Sequence, residues 1–446
     1  MEQYLSFLLS PIGAIAALVG FAFMLLVVSR LRNSLLVLMI MLFVGSLAVS
    51  VDVASDAASA ATWLMPLQQQ RTPIYLYCGM LLALNMLVHI GKIRVASTSG
   101  TGLLITLVAV YAGLIQCIHL GFVEGMLTVI SALLTLGTLS VLLPSLIRSW
   151  EDICALLRTI SLTAVFYAVA VLIQLAINRT PLVAVNAFRF QGISGNPQFV
   201  AVFLSVATTA TVFLIFNDAQ KRFKPLYVAL TCLMVVLLGW TGSRTGALMT
   251  VIGLSSVFYS RLGKSIIFAP LALGGIFGIV QVLESMGIRL GFDRLTSAQD
   301  TRSYAWMSLI DTALQNPFLG AGTSGAGAAE NSFLLAAASF GFGSLFTLLL
   351  LVLGVAFQCA RLVIIRGRVD PVAKRVVDLQ IGFFAMYFAG AMFEGYVIAR
   401  VNVMLPLFLI FSAITTRLLE FESESRAAAG RPADDLPPGV SAEGAA

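Results

Sequence analysis

The chain has 446 residues, 59% hydrophobic and 11% charged, with a formal net charge of +6 and a mean hydropathy of +0.97. A soluble domain carries about 25% charged residues, so this composition excludes a soluble globular protein and indicates an integral membrane protein. The basic residues are spread over short connections instead of one face, which excludes nucleic acid as a partner.

In chain order, apolar runs predict helices over 11–29, 34–51, 74–91, 102–120, 126–147, 159–177, 198–216, 225–240, 245–260, 265–282, 332–357, 380–398 and 402–416. Each is near the length of about 17–25 residues that a helix needs to cross a bilayer. The expected fold is all-α: a polytopic membrane protein with about 12–13 transmembrane helices, the lower number if the first run does not span. No basic region with a cleavage site opens the chain, so no cleaved signal peptide is expected. Residues 1–419 form one membrane domain. The long segment 284–331 is an outer loop containing an amphipathic helix, and 420–446, rich in Ala, Pro and acid, is expected to be a disordered tail. The five cysteines show no metal-ligand spacing, and no Asp, Glu and His cluster predicts a metal site.

Lys and Arg set the orientation. One set of alternating loops holds every Lys and most Arg, including Arg30, Arg148, Arg222, Arg366 and Arg417. That set faces the cytoplasm, so the N-terminus and the 284–331 loop face outward. The basic residues left outside are all Arg, among them Arg189, Arg244, Arg302 and Arg400. Outward positive charge runs against the orientation rule, and Arg is the side chain suited to bidentate phosphate contacts.

Arg189 lies in FRFQGISGNPQF, where Asn196-Pro197 marks the start of the next helix. A helix N-terminus facing outward favours an anion. Arg244 lies in GWTGSRTGAL, at a turn that two short helices barely carry to the surface. A charge there needs pairing or solvation, which makes Ser243-Arg244 a candidate binding element. Arg302 opens an amphipathic helix in which Arg302, Trp306, Ile310 and Ala313 share a face, with Asp300 as its N-cap. An interfacial anchor with a snorkelling Arg explains that spacing equally well. Gly320, Gly322, Gly325 and Gly327 then make a mobile loop able to offer backbone N–H groups to phosphate, although no G-K-[ST] follows. Glu330-Asn331 abuts the next span, where the Glu330 carboxylate serves either as a helix cap or as a general base. His119, at an outer helix end, is a second base candidate, though a hydrogen-bonded interface His is the simpler reading.

Taken in order, Arg189-x-x-Gly192 with Asn196-Pro197, Ser243-Arg244, Arg302 with Trp306, Asn316-Pro317-x-x-Gly320-x-Gly322, and Asn331-Ser332 resemble the O-antigen ligase and O-antigen/exopolysaccharide polymerase superfamily of bacterial inner membranes. The resemblance covers about residues 185–360. It implies a GT-C-like membrane glycosyltransferase of the inner membrane, active on the periplasmic face without metal or cofactor. The donor would be an undecaprenyl-diphosphate-linked oligosaccharide, with a glycan acceptor, the lipid bilayer, and a chain-length regulator or export complex as partners. It implies that Arg189 and Arg244 grip the diphosphate as catalytic residues. Arg302, Asn331, Asn196, Ser243 and Arg400 would bind substrate. Many members carry His just before the Asn that matches Asn331; this chain has Glu330, which becomes the base by substitution. That difference favours a polymerase of repeat units for exopolysaccharide, capsule or O-antigen over a ligase acting on lipid A-core. A transporter or flippase of lipid-linked glycan is the rival from another class; the absence of an internal repeat and of midplane charge speaks against it.

Overall fold

The structure is a computed structural model and describes residues 11–47, 62–64, 67–68, 70–93, 97–179, 182–184, 189–263, 302–327, 330–397 and 402–429. Its helices are α1 (Pro11–Ser29), α2 (Ser34–Ser46), α3 (Arg71–Val88), α4 (Gly100–His119), α5 (Phe122–Leu146) and α6 (Trp150–Ile177). A two-residue hairpin, β1 (Val183–Ala184) with β2 (Arg189–Phe190), is the strand pairing among the described residues, with Ala184 opposite Arg189. Then follow α7 (Pro197–Asn217), α8 (Lys224–Thr241), α9 (Arg244–Leu262), α10 (Ser303–Gln315), α11 (Ser332–Phe340), α12 (Phe342–Arg366), α13 (Pro371–Ala391) and α14 (Met404–Ala429). The protein is thus a nearly all-helical, multi-pass membrane protein.

Eight helices among the described residues are long and apolar enough to cross a membrane: α3 to α8, α12 and α14. This is fewer than the sequence suggests. The apolar parts described for α1 and α2 are short, and 265–282 lies outside the described residues. Helices α9 and α13 are not among the eight, and both are polar for part of their length. Helix α9 begins at Arg244 and ends near Arg261, while α13 carries Lys374, Arg375 and Asp378. Their packing explains how they are held: α9 lies between α7 and α13. Small residues allow that approach, because a Cβ on Gly246 would stand 2.5 Å from Ala201 Cβ, and one on Gly253 2.3 Å from Thr209 Oγ1.

Helices α7 and α14 form the centre. In each, 83% of the apolar window is buried, against 28% for α8 and α12, whose outer faces are left to lipid. Buried hydroxyls tie α7 to α9: Ser205 donates to Gly246 O at 2.8 Å and Thr250 donates to Ser205 Oγ at 3.0 Å.

Two predicted boundaries move. The run 332–357 is not one helix, because Gly341 at φ +78° ends α11 and starts α12. A Cβ there would stand 2.2 Å from Phe318 O, so the break needs glycine. Helix α14 runs past residue 420 to Ala429, since Arg417 pairs with Glu420 and lies 3.9 Å from Glu424 on the same helix. Residues 430–446 of the predicted tail, and 284–301 of the predicted outer loop, lie outside the described residues.

Candidate functional site

The turn between α8 and α9 is where Arg189, Arg244 and Arg302 meet. Helix α8 ends at Thr241, Gly242 turns the chain with φ +58°, and Ser243 caps α9 by accepting from the Gly246 N–H at 3.2 Å. From one side the hairpin brings Arg189, whose Nε donates to Thr241 O at 2.6 Å. Beside it Phe190 stacks on Trp240, ring centroids 5.4 Å apart, which fixes β2 against the end of α8. From the other side Arg302 donates to Thr245 Oγ1 at 3.1 Å. Arg244 stands between these contacts as the first residue of α9, half-buried. Three guanidinium-bearing residues from distant parts of the sequence therefore converge on one five-residue turn.

A carboxylate completes the group. After α13 the chain turns inward so that Glu394, 8% exposed, reaches this turn. Its Oε1 accepts from Arg302 Nη2 and from Thr245 Oγ1, each at 3.1 Å. The loop carrying it is pinned to the start of α11, where Ser332 Oγ donates to Glu394 O at 2.6 Å and Asn331 Nδ2 donates to Met392 O at 2.9 Å. Burial pushes the Glu394 carboxyl up to about 7, against the pull of the Arg302 charge and the Thr245 hydrogen bond; the Glu330 carboxylate adds to the rise.

Glu330 is close by. Its carbonyl accepts from Trp306 Nε1 at 3.3 Å, and Trp306 stacks on Phe393 with centroids 6.2 Å apart. The Arg302 guanidinium lies over that same Phe393 ring at 5.1 Å. Glu330 Oε2 is buried and makes no hydrogen bond among the described residues. The helix cap is Asn331 instead, accepting from the Phe333 and Leu334 N–H groups at 2.9 and 3.0 Å. Of the two roles open to Glu330, capping is thus taken by its neighbour.

The remaining expected residues separate into groups. Asn196 caps α7, accepting from Gln198 N at 2.8 Å, and Asn331 caps α11, so both amide oxygens are committed to backbone. Ser243 is likewise a buried cap. In all three the side-chain oxygen accepts from backbone N–H groups and so fixes the start of a helix at this end of the bundle. Arg400, like Asp300, lies outside the described residues. Arg302 does not snorkel to an interface: the buried side of α10 is Leu309 and Ala313, with Arg302 and Trp306 turned inward, while Ile310 is exposed. The glycine run is a packed turn: Gly320 N donates to Asn316 O and Ala321 N to Ala338 O, and a Cβ on Gly320 would strike Ser339. His119 holds this turn through Leu319 O at 3.0 Å.

Glu394 is the residue that sequence reasoning missed. It falls inside the predicted span 380–398, and an acidic residue in an apolar run is itself a functional signal. Among the described residues no three His, Cys, Asp or Glu side chains gather as metal ligands. The arrangement is instead a set of fixed cations beside two carboxylates, suited to an anionic leaving group and a proton acceptor. Comparison with protein-family models and with curated proteins finds no match for this chain.

Proposed function

We propose that the chain is a glycosyltransferase of the bacterial inner membrane that polymerises undecaprenyl-diphosphate-linked repeat units on its periplasmic face. The convergence of Arg189, Arg244 and Arg302 on the α8–α9 turn, with Glu394 and Glu330 alongside, is the observation that carries this reading. On this reading the diphosphate of the donor meets Arg189 and Arg244. Arg302, already bound to Glu394, orders the acceptor side.

The reaction is a displacement with inversion. An acceptor hydroxyl oxygen attacks the anomeric carbon of the donor sugar. The bond from that carbon to the phosphate oxygen breaks, and undecaprenyl diphosphate leaves with the electron pair, its added charge held by the arginines. The hydroxyl proton passes to Glu330, the carboxylate without a hydrogen-bond partner among the described residues. Glu394 positions Arg302 through the contact between its Oε1 and Arg302 Nη2. On this reading the helical bundle is a GT-C-type architecture.

A ligase that transfers the same glycan to lipid A-core would use the same donor chemistry and differ only in acceptor. The reading is tested in cells that make the polymer, by replacing Arg189 or Arg244 with Ala and comparing chain length on gels. Both variants should insert at normal levels and lose long polymer. Long polymer retained in both would remove the diphosphate clamp.

A further inference from the structure

A second concavity lies beside this site and takes no part in the contacts described above. It is a cavity of about 440 Å³ between α3, α4 and α5, closed at one edge by Thr323, Val397 and Leu405. That volume is within the range of about 300–1,000 Å³ of small-molecule pockets. Gln116, Glu124, Thr128, Ser131, Thr135 and Thr323 bring polar groups into it, and its lining residues include no Lys, Arg or His.

The helix that supplies most of these groups is distorted where it lines the cavity. Helix α5 has a π-helical turn at Leu133–Gly137, an irregularity frequent at functional sites. Thr135 sits in this turn and donates to Ser131 O at 2.6 Å. Facing it, Gly79 of α3 approaches so closely that a Cβ would stand 2.7 Å from Thr135 Cγ2. Near the mouth, Thr128 donates to Gln116 Oε1 at 3.0 Å, which orients the amide. The Tyr75 ring forms part of the wall, its hydroxyl anchored on Met41 O at 2.7 Å.

We infer that this cavity binds a neutral, polyhydroxylated ligand: a sugar residue. An anion would meet the Glu124 carboxylate and no lining cation. A hydrocarbon chain would strip water from Gln116 and Glu124 without replacing its hydrogen bonds. A sugar supplies both donors and acceptors to hydroxyls, amide and carboxylate, and sets an apolar ring face against Tyr75. The cavity also borders the arginine site. Val397 N donates to Ser332 Oγ at 3.3 Å, and Ser332 Oγ donates in turn to Glu394 O. Through Val397 and Ser332 the cavity wall is thus hydrogen-bonded to the backbone carbonyl of Glu394. That a sugar seated here is the acceptor sugar rests on the polymerase reading, whereas sugar binding itself does not.

The test is protection of an introduced thiol in the purified full-length protein. Ser131→Cys, or Thr128→Cys if the first variant fails to fold, is labelled with a small maleimide and followed peptide by peptide by mass spectrometry. The probes are methyl glycosides of a hexose, an N-acetylhexosamine and a deoxyhexose, with glycerol as the control polyol. At least one glycoside should slow labelling severalfold where glycerol does not, and Gln116→Leu should abolish that protection. Equal labelling rates with and without every glycoside, or equal protection by glycerol, would overturn the assignment. Protection in a protein that makes no polymer would keep the sugar site and remove the polymerase reading. Polymer synthesis without protection would do the reverse.

Discussion

The chemistry proposed here depends on a few side chains with distinct duties. Arg189 is bound to the Thr241 carbonyl, so its guanidinium is placed before any donor arrives, and Arg244 opens α9 at the same turn. Removing one such positioned charge should lower the transfer rate about 10²–10³-fold, measured as polymer formed per unit of purified enzyme. Lys at either position should restore little, because it lacks the bidentate fork. Glu330→Gln should lower the rate about 10²–10⁴-fold if it takes the acceptor proton, with donor binding unchanged. Glu394 makes a prediction about stability. Its folded value of about 7 lies above the usual 4.5, so the folded protein holds the proton more tightly than the unfolded chain. This contribution is full below about pH 4.5 and is lost as pH rises through about 7; the shift corresponds to about 3 kcal/mol. Thermal unfolding of the detergent-solubilised protein should show the Tm of the wild type falling relative to Glu394→Gln across that window. A constant difference between the two would mean that Glu394 is not held protonated.

At the scale of elements, glycines and caps decide where helices end, and the ends make the site. Gly341→Ala should lower the Tm, since the φ of +78° and the contact with Phe318 O leave no room for a Cβ; such backbone strain is of order 1–3 kcal/mol. The helix start at Asn196-Pro197 was legible in the sequence, and so were the long apolar runs. The capping by Ser243 and Asn331 was not, because neither residue stands out as a helix start; their side-chain oxygens, like that of Asn196, hold backbone N–H groups. The start of α6 was also hidden. Glu151, Asp152 and Arg158 interrupt the apolar pattern, but Asp152 accepts from the Ser149 N–H at 3.1 Å and Arg158 is bidentate to Asp218 at 2.8 Å, so the helix begins at Trp150. Glu394 was missed because its neighbours are apolar and its partners, Thr245 and Arg302, are remote in sequence. Periodicity shows which residues share a helix face; it does not show which loops fold onto one another.

Across the whole molecule, the helix bundle has a polar end and a lipid-facing rim. Helices α7 and α14 are enclosed by protein, while α8 and α12 face lipid, and the arginines gather at the end that the Lys and Arg distribution puts outside. Partly buried ion pairs mark the opposite end, with Arg158 on Asp218 and Arg366 on Asp378. This polarity suits a reaction on a lipid head group held at the membrane surface. The most direct measurement is an assay of the purified protein with undecaprenyl-diphosphate-linked repeat units as the only substrate, resolved on a gel, with Arg244→Ala and Glu330→Gln run beside it. A ladder of longer lipid-linked glycans from the wild type, absent from both variants, is the predicted result. A ladder that persists in Arg244→Ala, or transfer that occurs only when a lipid A-core acceptor is added, would contradict it.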